Sequence, residues 1–179
     1  GTTETGIVLH QRLPPAPRRP GSVGDPVASE IRIVGSDGRD AAPGDVGELL
    51  VRGPQVFDGY VDDPALNAAA FADGWFRTGD LGRRDASGDV HLIGRATEII
   101  NRGGEKLAPL QIDAVLRAIP GVSDAAAFGV PHPRLGQEVV AAIVRDPGVP
   151  LTEAEVQSST RAALGLRRAS RHVWFVDAL

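Results

Sequence analysis

Residues 94–109, with the sequence GRATEIINRGGEKLAP, combine three local signals that decide how this part of the chain folds. The adjacent pair Gly103-Gly104 can take up positive φ without a steric clash, so the chain can turn sharply there and bring its backbone close to a ligand. Pro109 suits the first turn of a helix, where no backbone N–H is needed. Beyond it, apolar residues recur at helical spacing at Ile112, Val115, Leu116 and Ile119. Taken alone, the stretch predicts a hairpin turn that leads into an amphipathic helix.

Outward from this stretch, short strands and a few helices alternate with short connections, which predicts an α+β fold. Strands are predicted at residues 6–10, 30–34, 47–52, 81–84, 90–93, 125–130, 139–144 and 172–176, and the segment 12–26 is predicted to be a loop. Helices are predicted at residues 65–71, from Pro109 onward, and at 152–164. The last of these helices has Thr152 as N-cap and Glu155 three residues later, which together make a capping box.

Composition excludes several classes of function. The 179 residues are 42% hydrophobic and carry a net charge of −4, which suits one or two small globular domains and disfavours non-specific binding to nucleic acid or to anionic membranes. No long apolar run or signal pattern occurs, so a soluble cytoplasmic protein is predicted. The sequence has no cysteine, and its four histidines show no spacing suited to zinc.

Two other short stretches carry residue types that suit a nucleotide. In Thr2-Thr3-Glu4, a hydroxyl can bond a phosphate oxygen and a carboxylate can hold a hard divalent cation. In the run Arg77-Thr78-Gly79-Asp80, the carboxylate is an acceptor that can take two donors at once. The alternatives are structural: a threonine-rich turn, an Asx-turn after Gly79 and, for Arg95, a salt bridge within a hairpin.

These motifs, taken in order along nearly the whole chain, resemble those of the adenylate-forming (AMP-binding) enzyme superfamily. That superfamily comprises the acyl- and aryl-CoA ligases and the acid ligases that load carrier proteins. The sequence around Gly103-Gly104 is most similar to the corresponding sequence of small-acid CoA ligases.

The resemblance implies roles for individual residues. Thr3 would contact the α-phosphate of ATP and Glu4 would hold Mg²⁺. Asp80 would accept hydrogen bonds from the ribose hydroxyls, and Arg95 would reach the ribose or a phosphate. Thr3, Glu4 and Arg95 are thus the candidate catalytic residues.

Three further residues would serve the second half of the reaction. Gly103 and Gly104 match the loop that approaches the thiol of CoA or of a phosphopantetheine arm. Thr97 falls at the hinge about which the small domain rotates. The family usually has aspartate or lysine there, and threonine is a departure from that pattern.

The resemblance also implies a division of the chain into domains. Residues 1–95 would be the C-terminal, barrel-like β-rich subdomain of the large AMP-binding domain, and residues 96–179 the small mobile C-terminal domain, ending before the final lysine motif. The family's triphosphate-binding loop is not in the sequence. The chain is therefore expected to be the C-terminal part of an enzyme, to need the rest of the large domain as a partner and to be inactive alone.

The implied activity is that of an acid–thiol ligase. It would activate a carboxylic acid with ATP and Mg²⁺ as acyl-AMP, release pyrophosphate and transfer the acyl group to CoA. Two alternatives stay open at this point: an adenylation domain that loads an acyl-carrier protein in a polyketide or nonribosomal peptide assembly line, and a non-catalytic remnant of the fold. No nucleic-acid or membrane partner is expected.

Overall fold

The computed structural model describes all residues from 1 to 179 and divides them into two compact units, Gly1–Ala96 and Thr97–Leu179. Both units consist mostly of sheet with a few helices, so the predicted α+β class is confirmed. The division falls one residue after the predicted boundary, and the family identity of each unit stays a prediction. None of the helices has the length and apolar composition needed to cross a membrane.

The first unit is built on a five-stranded antiparallel sheet. Its elements are β1 (Leu9–His10), β2 (Asp25–Pro26), β3 (Glu30–Val34), β4 (Val46–Arg52), α1 (Pro64–Ala70), β5 (Phe71–Ala72), β6 (Trp75–Arg84) and β7 (Val90–Arg95). The strand order is β3-β4-β6-β5, and β7 also pairs with β6, while β1 and β2 form a separate ribbon. The predicted hairpin between β6 and β7 is present, and its turn is held by the Asp85 side chain, which accepts from the backbone of Ser87 and Asp89.

The second unit packs two helices against a five-stranded sheet. After a short 3₁₀ turn (Ala96–Glu98) come β8 (Ile100–Arg102), β9 (Glu105–Leu107), α2 (Pro109–Arg117), β10 (Val122–His132), β11 (Gly136–Arg145), α3 (Glu153–Leu164) and β12 (His172–Phe175). The order is β10-β11-β8-β9, with β12 parallel to β11. The apolar face of α2 predicted from sequence is buried at Ile112 and Leu116, which join one core with Val139, Ile143 and Val156.

Local sequence signals predicted the positions of most helices and strands. Pairing with strands that are distant in sequence changed where some of these elements begin and end. The α3 capping box is formed as predicted, with Thr152 and Glu155 each accepting from the other's backbone N–H. The loop predicted at 12–26 ends in strand β2, because His10 and Leu9 pair with Asp25 and Pro26. The predicted strand at 6–10 is shorter than expected, since Gly6 has φ of +59° and closes a turn before β1.

Candidate functional site

The Thr2-Thr3-Glu4 motif lies in a tight turn at the start of the first unit. The backbone N–H of Gly6 donates to the carbonyl of Thr2 at 2.9 Å, and the backbone N–H of Thr2 donates to the Thr5 hydroxyl at 3.2 Å. Thr5 is fully buried and anchors the turn, whereas Thr3 is exposed and Glu4 is half-buried. The turn therefore leaves the Thr3 hydroxyl accessible to a ligand.

A cluster of aromatic rings lies next to the turn that contains Glu4. Phe57 packs edge-on against Tyr60 and Phe76, with ring centroids 4.8 Å and 5.4 Å apart, and its backbone N–H donates to the Glu4 carbonyl at 2.8 Å. Phe71 completes the cluster. Aromatic pairs of this kind contribute about 0.5–1.5 kcal/mol each beyond area burial, so the backbone beside Glu4 rests on a stable support.

Tyr60 also reaches the Glu4 side chain, and sequence reasoning missed this residue. Its hydroxyl donates to Glu4 Oε1 at 3.4 Å. One feature of the sequence could have drawn attention to Tyr60, because it is the only tyrosine in the chain. A half-buried aromatic ring with a polar tip usually finds a hydrogen-bond partner, and here that partner is 56 residues away in sequence.

The Glu4 carboxylate is held in its charged form. Hydrogen bonds from its own backbone N–H and from the Thr2 hydroxyl lower the pKa of Glu4, and the Tyr60 hydroxyl and the charge of Arg95 act in the same direction. Burial and the nearby Glu4 charge raise the pKa of Tyr60, which keeps that hydroxyl protonated as a donor.

The donor set around Glu4 fits magnesium bound together with a nucleotide. No three or more histidine, aspartate or glutamate side chains of residues 1–179 are grouped so as to hold a metal by themselves. Mg²⁺ is commonly held by one or two carboxylates together with substrate phosphates and water, and Glu4 offers one ionised carboxylate.

Asp80 and Arg95 face each other across the β6–β7 pair. They are register partners, and Arg95 Nε lies 3.1 Å from Asp80 Oδ1. Arg95 Nη1 also donates to the Thr78 carbonyl at 2.7 Å. The Thr78 hydroxyl accepts a hydrogen bond from the Asp80 backbone N–H and donates one to the Leu49 carbonyl. The hairpin salt bridge considered for Arg95 is thus present. Asp80 itself lies within strand β6.

This salt bridge is compatible with nucleotide binding. A carboxylate has room for about four acceptor contacts, and the guanidinium has further N–H donors beyond the two used here. Gly79, with φ of +72°, lies beside the pair: a Cβ built there would be 3.7 Å from Arg95 Nη1. The positive charge of Arg95 acts on both Glu4 and Tyr60, so the structure brings Glu4, Tyr60, Asp80 and Arg95 into one region of the first unit.

The glycine pair lies in the second unit, where it forms the two-residue turn between β8 and β9. Gly103 and Gly104 have φ of +59° and +84°, and Arg102 pairs with Glu105 across the turn. Positive φ at both central positions is typical of the type I′ hairpin turn. The Gly103 N–H donates to the Leu135 carbonyl at 2.8 Å, and a Cβ at Gly104 would meet nothing within 4 Å. Thr97 is exposed in the 3₁₀ turn, and its role as a hinge stays a prediction.

Comparisons with known proteins agree with the motifs. The family model described as AMP-binding enzyme matches residues 1–61, and the model described as AMP-binding enzyme C-terminal domain matches residues 111–179. The chain is 40% identical over 179 residues to an oxalate–CoA ligase of Arabidopsis thaliana and 41% identical over 181 residues to a sulfoacetate–CoA ligase of Cupriavidus necator. These alignments cover 99% and 100% of this chain.

The chain spans only 35% and 36% of the length of those two relatives. Among solved structures, the ATP-bound crystal structure of MatB from Rhodopseudomonas palustris is similar with a TM-score of 0.91 and 36% identity, covering 100% of this chain and 36% of that one. Two family models that match different parts of the chain, together with relatives aligned over its whole length, agree on one assignment: the chain belongs to the AMP-binding enzyme family.

Proposed function

We propose that the chain is the C-terminal part of an ATP-dependent acid–thiol ligase that forms an acyl-CoA. The observation that carries this proposal is the convergence of an ionised Glu4 with the Asp80–Arg95 pair in one region of the first unit. A cation-holding carboxylate, a ribose acceptor and a guanidinium are the groups that a nucleotide needs. The relatives that are named CoA ligases support this choice of reaction.

In the first half-reaction, the carboxylate of the acid attacks the α-phosphorus of ATP, and pyrophosphate leaves as acyl-AMP forms. Thr3 donates to an α-phosphate oxygen, and Glu4 provides the carboxylate ligand for Mg²⁺, which neutralises phosphate charge when bound. Asp80 accepts from the ribose hydroxyls, and Arg95 balances negative charge through N–H groups that its structural contacts leave available. The chain's residues thus contribute positioning and charge neutralisation.

In the second half-reaction, the CoA thiol attacks the acyl carbon and AMP leaves. The exposed turn at Gly103 and Gly104 offers backbone without side chains, along which a slender pantetheine arm can approach. Thr97, in a short exposed connection, is the residue about which the second unit would reorient between the two steps.

The test uses the full-length protein that contains this chain and measures ATP–pyrophosphate exchange with oxalate, sulfoacetate and other small carboxylic acids. Replacing Asp80 by alanine should lower kcat/KM for ATP by about one to two decades, because a hydrogen bond to a charged group contributes about 1.5–3 kcal/mol. The control is Asp45→Ala, an exposed aspartate outside the site.

Each result has a definite meaning. Exchange that is unchanged by Asp45→Ala and reduced at least tenfold by Asp80→Ala, with an equal melting temperature, supports the proposal. A reduction below threefold with unaltered ATP KM would mean that Asp80 only holds the hairpin together. Absence of exchange with every acid tested would favour the non-catalytic alternative, and acyl transfer to a carrier protein in place of CoA would favour the loading domain.

A further inference from the structure

The hairpin formed by β8 and β9 is fixed at its base by the hydrophobic core of the second unit. Ile100 and Leu107 are register partners at this base, and both are buried in that core. Only one register pair, Gly136 with Arg102, joins β8 to its neighbour β11, and β9 has no strand on its other side. The position of the hairpin tip, which carries the turn Gly103-Gly104, therefore depends on contacts beyond the strand pairing.

Glu138 of β11 makes one of these contacts. It is only 5% exposed, and its two carboxylate oxygens accept from Nε and Nη2 of Arg102. The Arg102 side chain is also mostly buried, so the surrounding salt screens this ion pair weakly. Burial acts to raise the pKa of Glu138, but the hydrogen bonds from Arg102 and from the Val139 N–H outweigh it and lower the pKa. Glu138 is thus a charged anchor in β11 for the last residue of β8.

Gln137 makes a second contact, one residue earlier in β11. Its Oε1 accepts the backbone N–H of Asn101 at 2.6 Å. Gly129 of the neighbouring strand β10 leaves room for this side chain, because a Cβ there would lie 2.9 Å from the Gln137 amide. The absence of a side chain on β10 therefore lets Gln137 reach β8.

Two other contacts complete the attachment of the tip. The Leu135 carbonyl accepts the Gly103 N–H at 2.8 Å, and Arg168 Nε lies 3.0 Å from Glu105 Oε1. The Arg168 side chain is half exposed, and ion pairs of exposed side chains contribute little to stability. The residues at the start of β11 therefore provide the main attachment of the tip.

We propose that Gln137 and Glu138 are positioning residues for thioester formation, which act through β8 on the glycine turn. The inference rests on the proposed function, in which the CoA thiol passes along that turn. Reacting atoms must come within about 3–3.5 Å of each other, so a small displacement of the backbone that guides the thiol should slow the transfer. The two side chains have no part in the proposed binding of ATP, so adenylation should not depend on them.

Variants of the full-length protein separate positioning from general stability. Gln137→Met fills a similar space but offers no acceptor to the β8 N–H, whereas Gln137→Glu keeps an acceptor there. Glu138→Gln keeps the shape of the side chain but removes the charge that pairs with Arg102. The control, Asp124→Asn, removes a charge from an exposed ion pair elsewhere in the second unit.

Hydrogen–deuterium exchange measures the attachment of the turn without any ligase activity. Gln137→Met and Glu138→Gln should speed exchange about tenfold or more in peptides that span residues 100–107, because lost contacts allow local opening of the tip. Peptides from α2 should keep their wild-type exchange. Gln137→Glu and Asp124→Asn should leave exchange in residues 100–107 within about threefold of wild type.

The activity assay measures the two half-reactions separately, as ATP–pyrophosphate exchange and as transfer from preformed acyl-AMP to CoA. Gln137→Met and Glu138→Gln should lower kcat of the transfer about tenfold or more at an unchanged KM for CoA, with pyrophosphate exchange within about twofold of wild type. Gln137→Glu should restore most of the transfer rate. Side chains that served stability alone would give equal losses in both half-reactions, together with a lower melting temperature.

Three results would overturn the inference. They are unchanged deuterium exchange at the tip in Gln137→Met and Glu138→Gln, a loosened tip with wild-type thioester formation, and equal losses in both half-reactions. If Glu138→Gln fails to fold, because Arg102 is left as a buried unpaired charge, the two Gln137 variants still decide the matter. Failure of the proposed function gives a different result: the wild-type protein then forms no CoA thioester, and the positioning role falls with it even though the tip loosens in the variants.

Discussion

Replacing Gly104 by leucine tests whether the turn between β8 and β9 lines the path of a thiol. Gly104 has φ of +84°, and a side chain there would meet nothing within 4 Å, so leucine strains the backbone without clashing within the second unit. The strain should lower the free energy of unfolding by about 1–2 kcal/mol. Any larger functional effect must come from the side chain's obstruction of something that approaches the turn.

Gly148 offers a matched control for this experiment. It is also exposed, has φ of +76° and would place a Cβ with nothing within 4 Å. Gly148→Leu should therefore carry the same backbone strain at another turn of the second unit. The two variants should show similar drops in melting temperature. A difference in activity between them then shows that the position of the substitution matters, and not the backbone strain alone.

The assay measures both half-reactions on the full-length protein. Gly104→Leu should keep ATP–pyrophosphate exchange within a few-fold of wild type while CoA thioester formation falls tenfold or more, about 1.4 kcal/mol of barrier per decade. Gly148→Leu should retain both activities. The reasoning is refuted if the two variants lose thioester formation equally, or if Gly104→Leu loses exchange to the same degree, because backbone strain alone would then explain the result.

Three more changes test other parts of the structure. Tyr60→Phe removes the hydroxyl that donates to Glu4 and should raise the Mg²⁺ concentration needed for half-maximal exchange several-fold at unchanged melting temperature; an unchanged Mg²⁺ requirement would limit Tyr60 to packing. Thr97→Pro should restrict φ at the predicted hinge and impair one half-reaction more than the other, whereas equal loss with a lower melting temperature would indicate a folding defect. Burial raises the pKa of the Asp113 carboxyl group, so this group keeps its proton to higher pH in the folded protein than in the unfolded chain. The free energy of unfolding therefore falls as pH rises from the ordinary aspartate pKa through the raised value. Asp113→Asn keeps an acceptor for the Ala127 N–H and should remove this pH-dependent loss in thermal melts, a gain that should vanish in acid.

Local sequence signals determined where several elements begin and turn. Pro109 at a helix start, the Thr152–Glu155 capping box and the Gly103-Gly104 turn each act over a few residues, so the chain alone specifies them. The sequence also indicated the chemistry of the candidate site, because Glu4, Asp80 and Arg95 lie in motifs that resemble those of one enzyme family. Their predicted contacts with ATP await the experiments above.

Tertiary structure alone decided which distant residues meet. The ends of β1 and β2 depend on strand pairing, which local propensity does not encode. The contact of Tyr60 with Glu4 and the pairing of Arg102 with Glu138 join residues 56 and 36 positions apart.

A cavity of the second unit that is lined by four arginines shows the same limit most clearly. In the sequence, Arg134, Arg161 and Arg171 are three among many scattered arginines, and Ser170 is an ordinary serine. Only the packing of α3 and the strands places them around one space and buries the serine hydroxyl without a partner. The sequence by itself determined the family and the local elements, because their signals span a few residues. Burial and charge balance are properties of the folded unit, and so the structure decided them.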